Sequence, residues 1–367
     1  MVAPELAVVE TIETLDFVPS VVAPPSSKAF GLVQAGVLLI VGIAGLYLSL
    51  VTMGHVAGII KVPAVLLSVG IIYAGIKRAT RTIFGPTFDT GLWMCGIWLV
   101  AIIAATTFAD LLPLGISSDT TKTIGIPGNL RPDLFSKHPL GTNNFSLDLL
   151  SRCIYAARVS LLTATFAVAV SMLIGGTIGM LAGYFRGPID QVIGVATDSF
   201  LAFPALILLI AIAAILGIPT SVPSAIIKEG SALAIVGIPT MVRLARANTM
   251  VFAQREFVLS SRAMGAKDSR IIMREILPNV LLPLLSFSFI IIAVLIVAEG
   301  SLAFLGLGLQ QPLPTWGNMI AEGDVTTLRK YPFIPLVPGM FMFLTVFSFN
   351  RVGEFARSLW DPRSAKL

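Results

Sequence analysis

The chain has 367 residues, 56% of them hydrophobic and 12% charged, with mean hydropathy +0.90 and net charge +5. Soluble domains carry about a quarter charged residues, so this composition excludes an ordinary water-soluble protein and puts most of the chain in lipid. So few cations spread over such a length do not make a nucleic-acid footprint. The sequence has no HExxH, GxSxG or GxxxxGK[ST] stretch, which points away from an enzyme or ATPase that works alone.

Residues 1–29 are polar and acidic, with Pro4, Pro19, Pro24 and Pro25, and read as a flexible tail. No basic n-region with a small-residue cleavage site precedes the first apolar run, so no removed signal peptide is expected. Apolar runs follow at about 30–53, 57–76, 91–110, 156–184, 191–217, 230–248, 277–299 and 333–350. Each is judged against the roughly 20 residues that a spanning helix needs. The second contains Lys61 and Pro63. The sixth is kept short because Lys228 and Glu229 are expected outside the hydrocarbon. The seventh runs on into Ser301–Leu309, and this surplus, with Gly306 and Gly308, reads as a short re-entrant or surface helix.

Eight spans place both termini on one side, and charge selects the side. Lys77, Arg78 and Arg81 fall in the loop 77–89, and Arg186 after the fourth span. The stretch 243–274 carries Arg243, Arg246, Arg255, Arg262, Lys267, Arg270 and Arg274. Arg351, Arg357, Arg363 and Lys366 fall at the C-terminus. All four groups share one face, which is therefore expected to be cytoplasmic. The acidic tail lands there too and lends no support. The opposite face receives the loops 111–155, 218–229 and 300–332. Cys95 and Cys153 are expected to be inert small hydrophobes. His55 and His138 are too few for a zinc site, and no metal or catalytic residue is assigned.

The informative stretch is residues 256–280, EFVLSSRAMGAKDSRIIMREILPNV. Glu256 to Met264 lacks Gly and Pro, with Phe257 and Met264 on one face at i, i+7. Gly265 suits a left-handed helix cap. Asp268 or Ser269 can cap a second helix running toward Leu277-Pro278. A helix–glycine turn–helix hung between two spans has an evident use: it docks into a partner and transmits motion.

This stretch resembles the cytoplasmic coupling loop of bacterial ABC importer permeases, whose pattern is Glu-Ala-Ala, three residues, Gly, nine residues, Ile-x-Leu-Pro. Gly265 and Leu277-Pro278 stand at that spacing. The first slot reads Leu259-Ser260-Ser261, Glu256 lies one turn earlier, and Ile276 is shifted by one. Other motifs resemble the dipeptide/oligopeptide/nickel branch of the family over about residues 91–367. They are His138-Pro139-Leu140-Gly141-Thr142, Asp148-Leu149-Leu150-Ser151-Arg152, Ala157-Arg158-Val159-Ser160-Leu161, Arg186 with Asp190, Asp198, Ala202-Phe203-Pro204 and Arg243-Leu244 with Arg246. They continue with Ser301, Phe304-Leu305-Gly306-Leu307-Gly308, Pro314-Thr315-Trp316-Gly317 and Asp361-Pro362-Arg363. Where the family has Asp-x-x-Gly-Arg, this chain has Asn143-Asn144-Phe145-Ser146-Leu147.

The resemblance implies an all-α polytopic membrane protein, a six-span permease core with two extra N-terminal helices. The expected division is a tail at 1–29, the extra helices at 30–76 and the permease domain at 77–367, with an external loop at 111–155 and the coupling loop at 249–276. Glu256, Leu259, Ser260, Ser261, Gly265, Ala266, Leu277 and Pro278 become the ATPase-coupling residues. Phe304, Gly306, Gly308 and Trp316 become a candidate outer gate or loop. Asp198 and Glu299 read as packing or boundary residues. The implied mechanism is alternating access, for peptides, nickel or oligosaccharides. The implied partners are a second permease subunit, two ATPase subunits or one fused, and an extracytoplasmic binding protein. ATP and Mg belong to the partners, and this chain holds no cofactor. The location implied is the plasma membrane of a bacterium or archaeon. The alternatives are a secondary transporter, which would place charged or unwound helices near the midplane, and a scaffold that transports nothing. The extra helices contain Gly42, Gly45, Gly70 and Gly75 and are expected to lie against the outside of the core, away from the path.

Overall fold

The computed structural model describes residues 28–51, 58–125, 127–133 and 135–360. Most of the expected tail, His55 and the Asp361-Pro362-Arg363 motif lie outside the described residues. Two compact units are present, Met1–Thr90 and Gly91–Leu367.

The first unit is a helical hairpin, α1 (Lys28–Val51) and α2 (Gly58–Phe84). Glycine sets its register. A Cβ at Gly31 would meet Thr82, one at Gly42 Ile72, one at Gly45 Ser68 and one at Gly75 Leu39. Rising numbers on α1 meet falling numbers on α2, so the helices run antiparallel. Gly70 faces open space. α2 continues past the expected end at 76, so Lys77, Arg78 and Arg81 sit on helix rather than in a loop. It stops at Gly85, whose φ of +107° suits glycine and whose N–H donates to the Arg81 carbonyl.

The second unit is a larger helical bundle. Its helices are α3 (Thr90–Thr107), α4 (Leu149–Phe185), α5 (Gly187–Ala202), α6 (Ala205–Leu216), α7 (Val222–Phe252), α8 (Glu256–Ala263), α9 (Asp268–Ile271), α10 (Leu277–Phe304), α11 (Trp316–Ala321), α12 (Val325–Lys330) and α13 (Phe333–Trp360). A π-helical turn, Ile272–Ile276, fuses α9 to α10. The described residues contain no strand, only an isolated bridge between Thr142 and Asp148. The fold is all-α, as expected. Among the described residues, six helices are long and apolar enough to cross a membrane: Phe30–Ser49, Thr90–Thr107, Leu149–Phe185, Val222–Phe252, Asp268–Phe304 and Phe333–Leu359. α2 is not among them. α5 and α6 pass the same test together but are bent by 92°.

Helix directions follow from side-chain pairs. Gly175, Gly179 and Gly183 of α4 face Ile238, Val242 and Arg246 of α7, both series rising, so these two helices run parallel. A Cβ at Gly175 would sit 2.7 Å from the Ile238 carbonyl oxygen, and one at Gly183 2.7 Å from that of Arg246. Only glycine permits this approach, and in lipid close packing replaces the hydrophobic drive that water supplies. α10 runs against α4, because Gly176 meets Leu284, Ser288 meets Met172 and Ser160 meets Glu299. It also runs against α13, where Gly300 meets Met342 and Gly353 meets Ile290. α3 runs against α4, with the Thr106 carbonyl taken by Arg158 and Asp110 by Tyr155.

Since α4 and α7 run the same way, the bent α5–α6 pair must return the chain once between them. The core thus has six crossings: α3, α4, α5 with α6, α7, α9 fused to α10, and α13. One face gathers the ends near Phe185, Phe252, Leu277 and Trp360. The other gathers the segments after α3, after α6 and after α10.

Two expectations are corrected. Ser301–Leu309 is no separate helix. α10 continues to Phe304, and Gly306 (φ +79°) then closes a Schellman cap, with Leu307 N–H on the Leu302 carbonyl and Gly306 N–H on that of Ala303. α7 begins at Val222 instead of about 230, held by a Ser221–Ser224 capping box. Lys228 and Glu229 therefore lie inside a helix, and Glu229 is buried.

Candidate functional site

The stretch singled out by sequence forms a knob between α7 and α10. α8 starts at Glu256, and Met264 caps it. Gly265 has φ +79°. Its N–H donates to the Arg262 carbonyl, and that of Ala266 to the Ser261 carbonyl, which completes a Schellman motif. A Cβ at Gly265 would meet nothing within 4 Å, so the backbone conformation alone demands glycine. The chain then re-enters helix at Asp268. Neither Asp268 nor Ser269 caps it: Lys267 occupies the cap position, without a side-chain hydrogen bond.

Burial divides the knob in two. Val258, Ile271 and Ile276 are fully buried and root it in the core. Glu256, Phe257, Leu259, Ser260, Met264, Gly265, Met273 and Pro278 are exposed, Met264 by 80%. Ser261, Ala266 and Leu277 are intermediate. The outer surface is therefore apolar at its centre and edged by Arg262, Lys267, Arg270 and Arg274.

One residue that sequence reasoning missed holds the knob's halves together. Tyr184, buried in the last turn of α4, donates its hydroxyl to Asp268 Oδ1 at 2.5 Å. Arg262 Nη2 donates to the same hydroxyl at 3.1 Å, and its guanidinium lies 5.4 Å from the centre of the ring. Tyr184 thus ties α8, α9 and α4 at one point. A tyrosine ending an apolar run, with Arg262 and Asp268 flanking Gly265, was the only signal available. Behind it, Arg246 of α7 makes a two-nitrogen ion pair with Asp190 of α5. Arg243 reaches Asp198 at 2.8 Å. Asp198 is mainly exposed and paired across the α5–α7 seam, which fits a packing role.

The opposite face carries a cap stitched from two loops. Arg152, fully buried, donates Nη2 to Glu322 Oε1 at 2.5 Å and Nη1 to the Ser117 and Pro312 carbonyls at 3.3 Å each. Asn143 Nδ2 donates to Glu322 Oε2 at 3.0 Å, while its Oδ1 accepts from the N–H groups of Phe145 and Leu147. Asn143 stands at the departure from the family motif and helps to pin the cap. Asp148 caps α4 through the Ser151 N–H and faces His138 Nδ1 at 3.1 Å. Outside the spans, the Tyr155 hydroxyl and Arg158 hold the Asp110 carboxyl below the usual carboxylate range.

The four candidate gate residues fall in different places. Trp316 is fully buried, and its Nε1 donates to the Cys153 carbonyl at 3.1 Å. Gly306 is the helix cap, and a Cβ at Gly308 would strike Ala303. Phe304 alone projects, 58% exposed. Glu299 departs from the boundary expectation: it is buried and accepts from Ser160 Oγ at 2.8 Å. Glu229 is buried nearby, and neither of its carboxyl oxygens has a hydrogen-bond partner among the described residues. Cys95 and Cys153 are both buried and free. No group of three or more His, Cys, Asp or Glu side chains that could hold a metal occurs among the described residues.

A bundle of six crossings with a rooted knob on one face and a stitched cap on the other defines a polytopic membrane protein of the ABC-permease class. The chain belongs to the binding-protein-dependent transport system inner membrane component family, which it matches over residues 175–366. It is similar to the dipeptide transport system permease protein DppC of Alkalihalophilus pseudofirmus, with 37% identity over 268 residues, 72% of this chain and 85% of that protein. It is also similar to glutathione transport system permease proteins GsiD. The one from Pectobacterium atrosepticum is 39% identical over 228 residues, and one from Escherichia coli 37% over 227 residues; each match covers 62% of this chain and 73% of the relative.

Proposed function

We propose that this chain forms half of the translocation pathway of an ATP-driven importer for peptides or a similar small solute. A second permease subunit supplies the other half. Separate ATPase subunits bind the ATP and Mg, and an extracytoplasmic binding protein delivers the solute to the capped face. The knob face is then cytoplasmic, in keeping with its cations. The observation that carries this reading is the knob itself, rooted by Val258, Ile271 and Ile276 and exposing Phe257, Leu259 and Met264, inside the stretch matched by the family. Similarity to dipeptide and glutathione permeases supports a peptide-type solute over nickel or an oligosaccharide.

The knob transmits motion in both directions. Closure of the ATPases on nucleotide moves it, and α4, α7 and α10 move with it. ATP drives the change only by binding one conformer better than the other. The test is reconstitution with the candidate partners in liposomes. Met264→Glu, which puts a charge at the centre of the exposed surface, is expected to lose co-purification of the ATPases while the chain still inserts. Equal co-purification and uptake would overturn the docking assignment, as would ATP hydrolysis by the purified chain alone.

A further inference from the structure

The N-terminal hairpin lies outside the family match, yet it contains a built cavity. Its register brings Lys28, the first residue of α1, beside the last turns of α2, where Lys77, Arg78 and Arg81 project. These four cations line one cavity of about 530 Å³, together with apolar Leu38 and Ala74. None of the four is in an ion pair among the described residues. In the bundle, by contrast, Arg152, Arg158, Arg243 and Arg246 each face a carboxylate. Asp89 is the only acidic residue among the described residues of this first unit, and it does not line the cavity.

Four like charges gathered without a counter-ion among the described residues repel one another, and an anion in their midst relieves that repulsion. The neighbouring surface indicates which anion. Val33, Val37, Ile40 and Val41 of α1 are 52–70% exposed, an apolar face suited to lipid in a protein of this membrane family. The cavity joins a cationic wall to an apolar one formed by Leu38 and Ala74. A free phosphate would use only the first wall, whereas an amphiphile uses both. Basic pockets between membrane helices take lipid headgroups on this principle.

We propose that the Lys28, Lys77, Arg78 and Arg81 end of the α1–α2 hairpin binds the phosphodiester headgroup of an anionic phospholipid, with its acyl chain along Leu38. The competing occupant is the chain's own residues 1–27, which contain Glu5, Glu10, Glu13 and Asp16 and no Lys or Arg.

The test uses the full chain in detergent with added phosphatidylglycerol or phosphatidylcholine, bound lipid being counted by native mass spectrometry. Wild type is expected to retain phosphatidylglycerol at least about fivefold over phosphatidylcholine, and the triple variant K77Q/R78Q/R81Q to lose that preference. Because those cations also guide insertion, Leu38→Trp serves as a second variant: it fills the cavity, keeps every charge, and should lower retention about as far. Equal retention of the two lipids by wild type would overturn the proposal. So would displacement of phosphatidylglycerol by equimolar inorganic phosphate, which would mark a free-anion site. Preference appearing only after deletion of residues 1–27 would give the site to the tail instead.

Discussion

At the scale of single residues, Gly265 and Tyr184 show two kinds of legibility. Gly265 can be read from sequence because its backbone conformation, φ +79°, excludes other residues at a cost of about 1–2 kcal/mol. Gly265→Val therefore tilts α8 against α9 while leaving the spans intact, since no neighbour crowds the site. We expect normal membrane insertion with reduced solute uptake per ATP in proteoliposomes, and unchanged coupling would refute the assignment. Tyr184 could not be read, because its partners Arg262 and Asp268 are distant in sequence and their meeting depends on how three helices are stacked. Glu229 and Glu299 were misplaced for the same reason. A carboxylate near the end of an apolar run reads as a boundary, since an ion in hydrocarbon is expensive, and only tertiary packing reveals that both are enclosed.

At the scale of elements, spans were legible wherever an unbroken apolar run met a glycine or a charge. The run 191–217 was expected to be one span and is two helices bent by 92°. The cause was in the sequence. Phe203 precedes Pro204, and the residue before proline is driven out of the helical region; here Phe203 adopts φ −75°, ψ 137°. Composition hid the break because α6 is wholly apolar. Pro204→Ala restores an N–H and lifts the restriction on Phe203, so α5 can run on into α6. Spin labels at Val195 and Ala211 should then sit farther apart than in the parent, and an unchanged distance would show that packing, not Pro204, sets the bend. The start of α7 was missed by a similar logic: the Ser221 capping box lies in a stretch whose Lys228 and Glu229 look like a loop.

At the scale of the whole molecule, part of the charge pattern was legible. Arg186, the cations of 243–274, and Arg351 and Arg357 fall at or near the helix ends that the helix directions gather on one face of the bundle. The relation of the hairpin to the permease core was not legible, since its glycines are used within the pair: Gly42, Gly45 and Gly75 meet the partner helix, and Gly70 meets nothing. The hairpin lies outside the family match, and removing two antiparallel helices leaves the direction of everything after them unchanged. A chain starting at Gly85 is therefore expected to assemble with its partners and take up solute, with some loss of stability. Loss of uptake in a truncation that still assembles fully would mean that the hairpin takes part in transport.

The parallel seam of α4 and α7 also has a mechanical consequence. α4 has 37 residues and is about 56 Å long. It is locked to its neighbour by glycines that leave no slack, fastened to the knob at one end by Tyr184 and to the cap at the other by Arg152. Close-packed protein has low compressibility, so the pair behaves as a stiff lever rather than a spring. Tilting about its midpoint by about 6° swings each end by about 3 Å. Such a rigid tilt would carry a push on the knob, reversed in direction, to the capped face of the bundle.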